Sequence, residues 1–232
     1  MNAFSNKPGW TAFLFVSFWA ITANAYSYYM MIRSCEVRYV DNIEVFLMVL
    51  VAILLFFQKQ AGFPQPVDLN ISNRKRFLIP LVAGLLFGML DILTVRIFQH
   101  PEPYSTLPPF LQPFPYSVFL YVNGAIYMEL IYRLLPFTLI MLPVTRFTDE
   151  KYHSPVFMAV AIISSLAEPI MQYPDGALWF RIYATISGFA MNLLQAWYFR
   201  KYGFFASLSV RIGHYLVWHI LQGVYVEAFE LP

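Results

Sequence analysis

Long apolar stretches separated by short polar breaks recur along the whole chain, at residues 10–32, 43–57, 77–98, 117–147, 155–172, 177–198 and 204–229. A helix needs about 20 mostly apolar residues to cross a bilayer, so the pattern predicts an all-α, polytopic transmembrane bundle of about seven helices, within a range of six to eight. The second and fifth stretches are short. The fourth is long enough to tilt or kink, and Pro136 is its expected breaking point. The breaks are too short to separate domains, so residues 1–232 read as one integral membrane domain.

Composition agrees with this pattern: 59% of the residues are apolar, 19% aromatic and 12% charged. A soluble domain carries about 25% charged residues, so the lipid bilayer is the expected partner of most of the outer surface. A net charge of +2 leaves no electrostatic footprint for nucleic acid. Cys35, the single cysteine, has no partner for a disulfide or a metal pair. No small-x-small cleavage pattern follows the first apolar run, which therefore reads as a retained helix.

The basic residues alternate between breaks. Lys7, Lys59, Arg74, Lys75, Arg76, Arg146, Lys151, Arg200 and Lys201 fall on one side, and only Arg33, Arg38 and Arg181 on the other. The positive-inside rule then predicts a cytoplasmic N-terminus and an outside C-terminus. Short loops lean the expectation towards a bacterial cell membrane. The break at 99–116 is rich in proline and aromatics, and it reads as an extended lip with Tyr104, Phe110, Phe114 and Tyr116 at headgroup level.

Ionisable residues inside the spans cost about 2.5–3.5 kcal/mol each when unpaired at mid-bilayer, so they are expected to face inward in pairs. Glu129 and Arg133 stand four apart, the spacing of a pair on one helix face. Asp91 and Arg96 stand five apart, a poorer spacing, and Arg96 reads as snorkelling to the interface. Glu168 precedes Pro169 and shares a polar stripe with Ser164, Ser165 and Gln172; the proline frees the carbonyl of Ser165. In the last span Arg211, His214, Tyr215, Trp218 and Gln222 fall on one face of an ideal helix, with His219 about 100° away from Trp218. No HExxH, CxxC or GxSxG pattern occurs, so neither a metal nor a cofactor is expected.

The order of these elements resembles the CAAX-protease and bacteriocin-processing (CPBP) family of intramembrane peptidases, which carries E-E-x-x-x-R, then F-x-x-x-H, then H-x-x-x-N or H-x-x-x-D. The first motif reads Met128-Glu129-Leu130-Ile131-Tyr132-Arg133, with Met128 in the place of the family's water-activating glutamate. The second reads Ser164-Ser165-Leu166-Ala167-Glu168-Pro169-Ile170-Met171-Gln172, with Glu168 for phenylalanine and Gln172 for histidine. The third is similar in register either at Arg211 with Tyr215 or at His214 with Trp218. The resemblance covers residues 117–223.

That resemblance implies a catalytic set drawn from Glu129, Arg133, Gln172, Arg211 and His214. Met128, Tyr132, Glu168, Tyr215, Trp218 and His219 would line the cavity. Methionine cannot take a proton from water and Gln172 cannot shuttle one, so the residues favour a non-catalytic relative that binds a peptide, a lipid or a membrane-protein partner. The alternatives are an active metal-independent peptidase using Glu129, and a small transporter or proton pathway through Asp91, Glu129, Glu168 and His214.

Overall fold

A computed structural model describes residues 7–231, and among them the chain is all-helical, with seven helices and no strand. They are α1 (Lys7–Ile32), α2 (Asn42–Phe57), α3 (Arg74–Gln99), α4 (Tyr116–Phe147), α5 (Glu150–Met171), α6 (Leu178–Tyr202) and α7 (residues 204–229). Helices α3, α4 and α5 are long and apolar enough to cross a membrane, and α2 is a shorter apolar helix. α1, α6 and α7 have the length, but none of them holds a bilayer-spanning stretch as apolar as those of α3, α4 and α5. In α6 and α7 many of the polar side chains are buried and point between helices rather than outward. Leu86, Leu93, Phe98, Ile163, Ile170 and Ile186 lie exposed on the outside, as a lipid-facing surface requires.

The core of α1 is a stripe of small residues, Ala12, Val16, Ala20 and Ala23, all fully buried at the three-to-four spacing of one helix face. One end of the bundle is closed by phenylalanines: Phe63 meets Phe199 edge-on at 5.0 Å, and Phe137 lies 5.2 Å from Phe157. At that end Gly203 ends α6 with φ +83°, a conformation that favours glycine, and starts α7 directly.

The tightest contact in the bundle is the seam between α3 and α7. An added Cβ on Gly84 would stand 1.9 Å from the carbonyl oxygen of Val210, and one on Gly213 would stand 2.2 Å from that of Leu81. Gly84 and Gly88 thus form a small-xxx-small stripe that lets the two backbones touch.

α4 does not break at Pro136. It runs on through a π-helical turn at Leu130–Leu134, and the carbonyl of Tyr132, which Pro136 cannot bond, accepts instead from Arg133 Nη1 at 2.9 Å and from the Ser164 hydroxyl. Pro169 acts in the same way in α5, where the freed Ser165 carbonyl accepts from Asn192 Nδ2 at 3.4 Å. Both prolines therefore supply acceptors to a polar interior, and the helices stay continuous because those acceptors are taken up.

The proline-rich stretch 100–115 lies against the opposite end. It buries Tyr104, and Tyr116 just beyond it, while Phe114 stays exposed, so the expected ring of interfacial aromatics is only partly formed. Tyr116 turns inward to satisfy a backbone group, donating from Oη to Arg38 O, and Tyr121 Oη does the same for Phe110 O, each at 2.6 Å. Two glutamates near the end of α7 hold the stretch down. Glu227 accepts from Phe114 N at 3.0 Å, and Glu230 accepts from Tyr104 N at 2.7 Å while pairing with Arg96.

Candidate functional site

Four charged side chains from three helices meet in the middle of the bundle. Arg211 of α7 donates from Nη1 and Nη2 to the two carboxylate oxygens of Glu168 in α5, each at 2.6 Å, and its Nε lies 4.0 Å from Glu129 of α4. Arg133 of α4 donates to Ser164 Oγ at 3.0 Å and stands 3.9 Å from Glu168. Two acids thus balance two guanidinium groups, and Glu129 and Arg133 have no exposed surface at all.

α6 binds the cluster together. Gln195 Nε2 donates to Glu129 at 3.2 Å, while its Oε1 accepts from Arg133 Nη2 at 3.1 Å and from Arg211 Nη2 at 3.0 Å. Asn192, one turn earlier, accepts from Arg211 Nη2 at 3.0 Å. These amides were not among the residues expected from sequence, although two amides three apart in an apolar helix are the signature of an inward polar face.

The pairing expected between Glu129 and Arg133 is not formed. Spacing i to i+4 stacks two side chains only on an α-helix, and the π turn that begins at Leu130 swings Arg133 towards α5. Each ion exchanges its expected partner for one on another helix. The face expected on α7 is altered for the same reason. A π turn at Leu216–Leu221 brings His219 round to the wall that His214 and Trp218 also line, instead of pointing it elsewhere.

Beside the cluster is a cavity of about 670 Å³, open towards the 100–115 stretch and the break after α5. Arg211 and Glu168 form part of its floor, and Tyr215, Trp218 and His219 part of its wall. Asp91, whose spacing to Arg96 is poor for pairing, is instead tied to three other residues on this wall. It accepts from Tyr183 Oη at 2.6 Å and Ser187 Oγ at 3.4 Å, and its second oxygen meets His214 Nε2 at 2.7 Å. The glycine seam makes this contact across α3 and α7. Asp91 stands five residues from Arg96, which turns away to Glu230 and stacks on Tyr104 at 4.6 Å.

A second cavity, about 710 Å³, lies between α2 and α4 and shares Phe110, Gln172, Tyr215 and His219 with the first. Met128 and Tyr132 line it. Gln172 does not reach Glu129 or Arg211; its Nε2 touches Met128 Sδ at 3.7 Å. Of the expected catalytic set, Glu129, Arg133 and Arg211 come together, His214 stands on the adjoining wall, and Gln172 stands apart with Met128. Among the described residues no group of three or more His, Cys, Asp or Glu is placed to hold a metal ion. No family model, curated protein or solved structure matches the chain.

Proposed function

We propose that the chain is a non-catalytic, membrane-embedded binding protein of CPBP type, which holds an amphiphilic ligand or a segment of a partner in its two adjoining cavities. The observation that carries this reading is the contact between Met128 and Gln172 on a cavity wall. In the CPBP family these two motif positions hold the glutamate and the histidine. Here a thioether and an amide meet at 3.7 Å, and neither can take a proton from water.

Glu129 supports the same reading. Its carboxylate is fully buried, held by Gln195 and near Arg211, and lines neither cavity, so it is poorly placed to meet a water molecule or a peptide bond. Both cavities fall within the roughly 300–1,000 Å³ of ordinary ligand pockets and mix aromatic walls with a few convergent polar groups. The transporter reading has less support, because no inverted repeat is visible in the chain. The alternation of basic breaks supports an orientation with the phenylalanine-closed end in the cytoplasm and the cavity mouth outside, and the short loops favour a bacterial cell membrane.

The test is native mass spectrometry of the protein purified in mild detergent, alongside a peptide-cleavage assay. The reading expects a retained amphiphile that is lost when Ala184→Trp fills the first cavity, and no hydrolysis. Cleavage by the wild type that Glu129→Gln abolishes would overturn it in favour of the peptidase.

A further inference from the structure

The first cavity has a charge pattern that selects its occupant. Arg211, the only Lys or Arg on its wall among the described residues, is paired with Glu168 through two hydrogen bonds. The other charged residues on that wall, Asp91 and Asp175, are acidic. Asp91 is reached only by neutral hydroxyls and by the imidazole of His214, and Asp175 stands exposed near the mouth. A wall of this kind repels anions.

The same cavity offers aromatic faces. Phe110 and Trp218 stack in parallel, 9° between planes and 5.5 Å between centroids, and Tyr215 and Tyr183 line the cavity beside Asp91 and His214. Trp218 is only partly buried and so keeps surface free for a ligand. One more observation points to an occupant: His214 is nine-tenths buried, its Nε2 is committed to Asp91, and its Nδ1 has no hydrogen-bond partner within the protein.

From this combination of three acidic side chains against one arginine and of aromatic faces, we infer that the first cavity binds an ammonium group carried on a compact apolar body. Asp91 and Asp175 supply the acidic side of the wall, and Trp218, which is partly exposed and lines the same cavity, supplies the cation–π surface. The inference rests on the binding reading above and adds the chemical class of the ligand. Two sources carry that chemistry, the ammonium headgroup of a lipid and a free organic amine.

The probes are choline and its uncharged isostere 3,3-dimethylbutan-1-ol, titrated by calorimetry into the full chain in nanodiscs. In discs of phosphatidylglycerol, choline is expected to bind at least about tenfold more tightly than the isostere. Asp91→Asn, which keeps the shape and an acceptor for Tyr183, should remove that preference, and so should Trp218→Leu. In discs of phosphatidylcholine a headgroup ligand weakens the choline curve by competition, whereas a free-amine ligand leaves it unchanged. Equal affinity for the two probes, heat with neither, or a preference unchanged in both variants overturns the inference. The binding reading would still stand if the purified protein retains an uncharged or anionic amphiphile that Ala184→Trp displaces.

Discussion

Arg211 and Glu168 face each other across α7 and α5 with two parallel 2.6 Å hydrogen bonds, and this contact ties the last helix to α5. A bidentate guanidinium–carboxylate pair is directional as well as strong, and its partners are nearly or wholly buried. Removing one member leaves the other charged in a low-dielectric interior. Glu168→Gln is therefore expected to destabilise the protein by about 3–5 kcal/mol. The double replacement Glu168→Gln with Arg211→Gln should cost less than the sum of the two single ones, measured by equilibrium unfolding in mixed micelles. Additive costs would show that the pair is not coupled.

Gln195 satisfies three charged neighbours at once, with its amide donating to Glu129 and accepting from both arginines. Gln195→Leu keeps much of the volume and removes every one of these bonds. Leaving several buried charged groups short of a partner should cost about 1–3 kcal/mol or more, with Gln195→Asn too short to restore it. The same unfolding assay checks this, and a stability equal to the wild type would place the cluster's support elsewhere.

Gly84 has no room for a methyl group, since its Cβ would lie 1.9 Å from a backbone oxygen that cannot rotate away. Gly84→Ala must push α3 off α7 and with it separate Asp91 from His214. We expect a loss of about 1–3 kcal/mol and a weaker disulfide yield between cysteines placed at the two helices' facing positions. Gly124→Ala is the control, because the nearest atom there is the edge of Tyr215 at 3.8 Å.

The 100–115 stretch is pinned by Glu227 and Glu230. Replacing both with glutamine should leave global stability within about 1 kcal/mol while raising the rate of proteolytic nicking between Tyr104 and Phe114 several-fold. Limited proteolysis followed by mass analysis reads this directly. An unchanged rate would mean that the remaining contacts, Tyr121 Oη and His219 Nδ1 on Phe110 O and Arg38 N on Gln112 Oε1, suffice to hold the stretch.

Met128 and Gln172 touch on the wall of the second cavity, so the double variant Met128→Glu with Gln172→His would place a carboxylate beside an imidazole there. Hydrolysis of a membrane-anchored peptide above the wild-type background is the expected gain, abolished by reverting either position. Failure of a well-folded double variant to cleave would count against the CPBP reading of these motifs.

Much of this architecture is written in the period of the apolar residues. The seven stretches become seven helices, because spacing and length depend only on local chemistry. Ser165 shows how far local reasoning reaches: Pro169 four residues on already implies a freed carbonyl, and only its acceptance by Asn192 needed the fold. The pairings were less legible. Choosing Arg133 for Glu129 assumes an ideal helix, and nothing in Leu130–Leu134 announces the extra residue in that turn. The partners of Asp91 are illegible for a different reason, since Tyr183, Ser187 and His214 lie about 90 or more positions away, on helices whose approach is set by the glycine seam.

The wide turns inside α4 and α7 also bear on how the chain tolerates changes in length. Each holds one residue more than an α-helix of the same rise would, so each is a place where a single codon could be deleted without interrupting the helix. The helix would heal and the residues beyond the deletion would keep their places, with only the side chains of the turn itself redirected. In α4 that turn carries Arg133, so the deletion would disturb its reach to Ser164 and Gln195. A shortened α4 would thus still cross the bilayer while weakening the link between helices on which the polar interior depends.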